Sequence, residues 1–295
     1  MSVQPVPAPD RDLVDQALAE DLGRSNLDPN GDLTAHWLVP DRLQAQARII
    51  ARQPGVVAGL EVARTVFQRL DPQISFNARK ADGEALQTDD ELVRLQGPAR
   101  TLLVGERTAL NFLQRLSGVA TLTRAYARAL EGTQTRITDT RKTTPGFRHL
   151  EKYAVRLGGG VNHRMGLYDA VLIKENHAAA VGGVAAAVRR ARIAAQGQDR
   201  SAVPIYVEVR DLDEVTAVLS AAPDRIMLDN MALEQMRRAV ALIRHADPGI
   251  EIEATGGITL DTVRAAAETG VDLISIGALT HSAPALDLSM LFDTE

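Results

Sequence analysis

After Gly132 the chain repeats one pattern: a short apolar, β-rich run, a loop, then a helical stretch. The runs are TRIT (135–138), AVLI (170–173), PIYVEV (204–209), RIML (225–228), IEIEA (250–254) and DLISI (272–276). Helical stretches lie between most of them, at 147–157, 178–196, 212–221, 232–246 and 260–269, and Gly158, Gly197 and Gly270 stand where helices stop. Strands that alternate with helices over short connections pair in parallel, because each helix carries the chain back to its starting edge. At least six such units in series predict a parallel α/β barrel or partial barrel, with a doubly wound open sheet as the structural alternative.

Ahead of this array, residues 11 to 115 mix short helices and strands. AEDLG (19–23) ends a helix, and PNGDLTAHWLVP (29–40) reads as a turn-rich connection. QAQARIIARQPGVVAGL (44–60) reads as a strand, a Pro-Gly turn and a second segment. EVARTVFQRL (61–70) has a helical stripe at Val62, Val66, Phe67 and Leu70, and ISFNARKADGEAL (74–86) suggests strands around Asp82-Gly83. A long helix follows in ERTALNFLQRLSGVATLTRAYARALEG, with Arg107 read into its first turn. A cation there opposes the helix dipole, so Arg107 points to an external anion or a neighbouring acid.

The 295 residues hold 45% hydrophobic and 24% charged side chains, enough to bury a core. The net charge of -5 argues against a nucleic-acid or anionic-membrane binder, and 3% aromatic residues are too few to stack successive bases. With no cysteine there is neither a disulfide nor a thiolate metal site. No run of about 18 apolar residues is present to span a membrane. The start, MSVQPVPAPDRD, lacks the features of a secretory signal and reads as a frayed tail, so a cytoplasmic protein is expected.

Only four lysines occur, Lys80, Lys142, Lys152 and Lys174, and three of them fall between 139 and 177. Lys152 is expected on the surface of a helix. The other two stand at strand ends, where function sits on such a scaffold. Asp139-Thr140-Arg141-Lys142 follows the first run and Lys174-Glu175-Asn176-His177 the second. Glu208, then Asp229-Asn230, Thr255-Gly256-Gly257 and Ser275-Ile276-Gly277 close the remaining four. Arg141, Lys142, His163, Arg164 and Lys174 form a basic set suited to a small polyanion, since arginine grips carboxylate or phosphate with a fork and lysine acts as a point charge. Glu208 and Asp229, from successive strands, suit a hard cation such as Mg²⁺ shared with a phosphate, or else ion pairs with the basic set. The glycine loops of the last two units can cradle a phosphate with backbone N–H groups. Together these describe a site for an anionic acid and a Mg²⁺-bound phosphorylated sugar, which a transferase using phosphoribosyl pyrophosphate would need.

ERTALNFLQRLSGVAT, DTRKTTPGFRHLEKYAVRLGGGVNHRMGLYDAVLIKENH, RIMLDN, EATGGI and SIGALTHS resemble the quinolinate phosphoribosyltransferase family, as do GVVAG (55–59) and the EDLG…GDLT stretch. The likeness covers almost the whole chain. It implies an N-terminal α/β sandwich domain, placed at 1–115, joined to an incomplete α/β barrel at 116–279, with 280–295 able to pack with the first domain. It implies transfer of phosphoribose from phosphoribosyl pyrophosphate to quinolinate with loss of CO₂, using Mg²⁺, in a homodimer or larger assembly. The quinolinate pocket would comprise Thr140, Arg141, His163, Arg164 and Lys174, with Arg107 contributed across the dimer interface. The phosphoribosyl pyrophosphate side would comprise Lys142, Glu208, Asp229, Thr255, Gly256, Gly257, Ser275, Ile276 and Gly277. Lys142, Glu208 and Asp229 would be catalytic, and the last two would hold the metal. His163 is a candidate for the acid that protonates the ring after CO₂ leaves. Two positions depart from the family pattern. Tyr206 stands where a second Glu is frequent, and Thr255 where the phosphate loop commonly begins with Ser. Competing readings are a transferase for another ring acid, such as nicotinate without decarboxylation, a molybdenum-transport-associated relative, and a non-catalytic metabolite- or protein-binding barrel.

Overall fold

The structure is a computed structural model, and it describes residues 11–23, 27–198, 200 and 202–293. The proline-rich start that reads as a frayed tail lies, except for its last two residues, outside the described residues. In chain order the elements are α1 (Arg11–Leu22), a 3-10 helix (Pro29–Gly31), α2 (Leu33–Leu38), β1 (Gln44–Ala51), β2 (Gly55–Val56), α3 (Leu60–Leu70), β3 (Ser75–Ala78), β4 (Ala85–Leu86), β5 (Glu91–Pro98), α4 (Ala99–Ala129), β6 (Arg136–Thr138) and α5 (Arg148–Leu157). They continue with β7 (Val171–Ile173), α6 (Glu175–Val181), α7 (Val184–Gly197), β8 (Ile205–Val209), α8 (Leu212–Leu219), β9 (Arg225–Asp229), α9 (Leu233–Ala246), β10 (Glu251–Thr255), α10 (Val263–Ala267), β11 (Leu273–Ser275), α11 (Ala278–His281) and β12 (Leu288–Phe292). The chain divides into two compact units, one of residues 1–124, 144–158 and 282–295, the other of 125–143 and 159–281.

The first unit is built on an antiparallel sheet of strand order β12-β1-β5-β3. Val62, Val66 and Phe67 of α3 are buried, as their helical spacing predicts. Asp82 caps this helix: its carboxylate accepts the backbone N–H groups of Gly59 and Leu60, each at 3.1 Å, and the Tyr153 hydroxyl at 3.0 Å. Gly118 of α4 packs so closely on the 284–285 backbone that a Cβ there would collide with the Pro284 carbonyl.

Three sequence expectations need correcting in this unit. The stretch 29–40 is not only turns: it holds α2, whose N-cap Asp32 accepts the Ala35 N–H at 3.0 Å. The long helix begins at Ala99, directly after strand residue Pro98, so Arg107 lies more than two turns inside it and the dipole argument at the N-terminus does not apply. Lys152 is not on the surface but 1% exposed. The reason is that α5 is buried nearly all round, Leu150 through Val155 included, so it has no continuous solvent face to carry a lysine. Its neighbour Glu151 is also fully buried, and is satisfied by Arg115 Nη2 at 2.8 Å, the Thr144 N–H at 3.0 Å and the Thr144 hydroxyl at 2.8 Å.

The second unit is a six-stranded sheet of order β6-β11-β10-β9-β8-β7, and every pair is parallel. Spatial order follows chain order from β7 to β11 and then wraps to β6. There is no point where the order reverses, which excludes the doubly wound alternative. Among the described residues β6 and β7 are not paired, so the barrel is incomplete. Alternation along the strands sorts the side chains. Ile205, Val207, Val209, Ile226, Leu228, Ile252, Ala254 and Ile274 are fully buried on one face. The other face carries Tyr206, Arg225 and Glu251 in one register row, Glu208, Met227 and Glu253 in the next, and Asp229 with Thr255 above them. The helical stretch expected at 178–196 is two helices, because Gly182 and Gly183, at φ 88° and 108°, break it. Among the described residues no helix of the chain is long and apolar enough to cross a membrane.

Candidate active site

The carboxyl ends of the six strands deliver their loop residues to one cavity of about 600 Å³. Its lining includes Thr140, Arg141 and Lys142 after β6, Lys174 after β7, Glu208 on β8, Asp229 on β9, Thr255, Gly256 and Gly257 at β10, and Ser275 on β11. His163 and Arg164 come to it from the loop before β7. Twelve of the fifteen residues singled out in the sequence therefore line a single space. The other three do not. Ile276 is buried and its N–H donates to the Thr138 carbonyl at 3.0 Å, so that amide is used within the sheet. Gly277 lies behind Lys142: a Cβ there would stand 3.1 Å from the lysine Cδ. Arg107 is an exposed residue of α4 in the first unit.

Local chemistry fixes each group. Asp139, fully buried at the end of β6, accepts the Asn162 side-chain amide at 2.5 Å and the His163 N–H at 3.0 Å. The Lys142 N–H donates to Thr140 Oγ1 at 3.0 Å, and the Thr280 hydroxyl donates to the Lys142 carbonyl at 2.8 Å. Arg164 Nη1 donates to the Ala170 carbonyl at 2.8 Å. Burial, and after it the charge of Arg141, push the Arg164 guanidinium below its ordinary value. Two cations held close enough to oppose each other gain from an anion placed between them. Lys174 Nζ is in direct contact with Glu208 Oε1. At the β10 loop Gly256 has φ 92° and its missing Cβ leaves room for the Asn230 side chain, which donates to Asp229 Oδ1 at 3.0 Å. Gly257 follows at φ 62°. Glycines at these positive φ values let the loop turn without strain beside the cavity, where backbone N–H groups can serve an anion.

Among the described residues no group of three or more His, Cys, Asp or Glu could hold a metal by itself. Glu208 and Asp229 form a two-carboxylate arrangement on adjacent strands. That number suits a hard cation that brings its remaining oxygens with a phosphate.

The cavity also has residues that were not picked out as ligands: Leu172, Met227, Asn230 and Glu253. Behind Glu253 lie Arg225, 2.7 Å away, and Tyr206, whose ring sits 4.2 Å from the Arg225 guanidinium carbon. The signal for Glu253 was present in IEIEA, where two glutamates alternate with apolar residues and so must share one face of a strand.

Residues 32–117 match the family model described as the quinolinate phosphoribosyl transferase N-terminal domain, and residues 119–291 match that of its C-terminal domain. The chain belongs to the quinolinate phosphoribosyl transferase family. A relative in Synechocystis, named probable nicotinate-nucleotide pyrophosphorylase [carboxylating], is 44% identical over 93% of this chain and 90% of its own length. The nicotinate-nucleotide pyrophosphorylase [carboxylating] of Mycobacterium leprae is 43% identical over 95% of this chain and 96% of its own. Among solved structures, the nicotinate-nucleotide pyrophosphorylase of Francisella tularensis superimposes with a TM-score of 0.90, at 38% identity, over 99% of both chains. The barrel with its small antiparallel sheet is the fold of the quinolinate phosphoribosyl transferases.

Proposed function

We infer that the protein is a decarboxylating quinolinate phosphoribosyltransferase. It transfers phosphoribose from phosphoribosyl pyrophosphate to the ring nitrogen of quinolinate and yields nicotinate mononucleotide, CO₂ and pyrophosphate, a step in making NAD. The observation that carries the reading is one cavity with Arg141, Arg164, Lys142 and Lys174 facing two carboxylates from adjacent strands.

Quinolinate carries two ring carboxylates, and two of its needs are charge and orientation. Arg141, Arg164 and Lys174 neutralise the carboxylates, and Thr140 and His163 complete the pocket wall. Arg107 of a second copy closes that pocket, which makes the working unit a homodimer or a larger assembly. Holding the ring nitrogen against the anomeric carbon supplies much of the rate. Lys142 places a point charge by the diphosphate, while the amides of Thr255, Gly256 and Gly257, with Ser275, receive a phosphate. Glu208 and Asp229 would hold a divalent cation such as Mg²⁺, which when bound supplies positive charge for the departing pyrophosphate. Ribosylation makes the ring nitrogen positive, and that charge stabilises the electron pair left on the adjacent ring carbon as CO₂ departs, until that carbon takes up a proton in place of the carboxylate. The cavity therefore needs no electron-sink cofactor. The reading carries with it the cytoplasmic location expected from the sequence.

The test is to incubate the protein with phosphoribosyl pyrophosphate, Mg²⁺ and carboxyl-labelled quinolinate. Labelled CO₂ and nicotinate mononucleotide are expected in equal amounts. Turnover of nicotinate in place of quinolinate, without CO₂, would overturn the assignment.

A further inference from the structure

Alternation in β10 sends Glu253 inward, where it is fully buried with its Oε2 2.7 Å from Arg225 Nη1. Arg225 is held in turn by Glu251, through Nε at 2.8 Å and Nη2 at 2.6 Å. His163 lies beside this cluster and, like Glu253, lines the cavity. Its Nε2 lies 3.6 Å from the same Glu253 oxygen, and its ring meets the Tyr206 ring edge-on with centroids 5.5 Å apart. On the other side, His163 Nδ1 accepts the Arg164 backbone N–H at 2.8 Å. A ring nitrogen that accepts cannot also carry the proton, so the proton sits on Nε2, the nitrogen turned toward Glu253.

We propose that Glu253 is a positioning residue: from the buried floor of the cavity it holds His163 as the Nε2–H tautomer, so that His163 meets the pyridine substrate with its ring rather than with a nitrogen. His163 is then a wall of the pocket and not the acid that protonates the ring. The 3.6 Å separation is longer than a hydrogen bond and works as an attraction between the Nε2–H dipole and the negative oxygen facing it, which burial leaves little screened and which an amide oxygen in the same place retains in weaker form. Burial raises the Glu253 carboxyl above its ordinary value, and the Arg225 charge opposes that rise, favouring negative charge on the oxygen nearest Nε2. Asp139 takes the backbone N–H of His163 and fixes where the ring starts, so Glu253 and Arg164 have only the ring's rotation left to set.

The kinetic arm of the test rests on the proposed reaction, while the tautomer arm does not. Histidine labelled with ¹⁵N in the ligand-free, full-length protein reports which ring nitrogen is protonated. A neutral Nε2–H form of His163 is expected in the wild type and in Glu253→Gln, which keeps an accepting oxygen. In Glu253→Ala the ring is free to turn away from the Arg164 N–H, so a mixture of tautomers is expected, with the quinolinate KM raised about tenfold and that for phosphoribosyl pyrophosphate changed less than about threefold. Glu253→Gln should restore the quinolinate KM to within about threefold of wild type. A proton on Nδ1 in the wild type would overturn the proposal even if Glu253→Ala does not fold. So would an unchanged quinolinate KM in a folded Glu253→Ala, or equal damage from Glu253→Gln.

Discussion

At the scale of single residues, the site is a division of charge. Arg141 and Arg164 are near enough to oppose each other, while Lys174 is already paired with Glu208. Replacing Lys174 by Ala should raise the quinolinate KM by about tenfold to a hundredfold and the phosphoribosyl pyrophosphate KM far less, as steady-state kinetics with each substrate varied will show. Equal effects on both would remove Lys174 from the acid pocket. Gly256 belongs to the other substrate. Its left-handed φ of 92° and its contact with Asn230 leave no place for a methyl group, so Gly256→Ala should weaken phosphoribosyl pyrophosphate binding and spare quinolinate binding. Titration calorimetry with each ligand checks this. Most of these residues could be read from the sequence, because strand–helix alternation says where loops begin and charged residues stand out there. Glu253, Arg225 and Tyr206 were harder to read. They lie inside strands, and which face of a strand turns inward is decided by the sheet that forms, not by the strand alone. Lys152 failed for a related reason: nothing local to α5 announces that a helix will be covered on all sides.

At the scale of elements, Asp82 ties the 82–84 turn to the start of α3 and to Tyr153 of α5. Asp82→Ala should cost about 1–2 kcal/mol, measured by denaturant unfolding, because it strands two helix-start amides. The pH dependence has a definite sign. Burial raises the Asp82 carboxyl above its ordinary value, so over a range of pH the native state keeps a proton that the unfolded chain has released. The stability this proton brings is present at low pH and is lost as pH rises from about 4 through the raised value. Asp82→Asn removes that slope, so thermal melts should show the wild type losing ground to it across this range. Gly118 makes a different demand. A methyl group there meets the Pro284 carbonyl, and Gly118→Ala should destabilise the first unit by roughly 2–3 kcal/mol. Gly197, at the end of α7 with nothing within 4 Å, is the control and should tolerate Ala. Helices and strands of the second unit were legible because period and punctuation agree there. In the first unit β5 and α4 run together without a break, and only the pairing of β5 with β1 shows where the strand stops.

At the scale of the molecule, the proposed pocket is completed by a second copy. Arg107→Ala should be inactive, and so should Lys174→Ala if quinolinate is kept below its raised KM. Unfolded together and reassembled in equal amounts, they should recover about one quarter of the wild-type activity. Half of the dimers are then mixed, and each mixed dimer has one intact site. Activity that stays at the sum of the two variants would mean that sites are not shared between subunits.

The sheet of the first unit has one more property. Its outer strand, β12, comes from residues 288–292, yet it pairs along β1, which is made from residues 44–51. During synthesis the early strands leave the ribosome with one edge bare, and that edge stays bare until residues 288–292 have been made. A bare edge is a template for the wrong neighbour. Nascent chains, and products that stop before residue 288, should therefore be the forms that chaperones hold and that clump together.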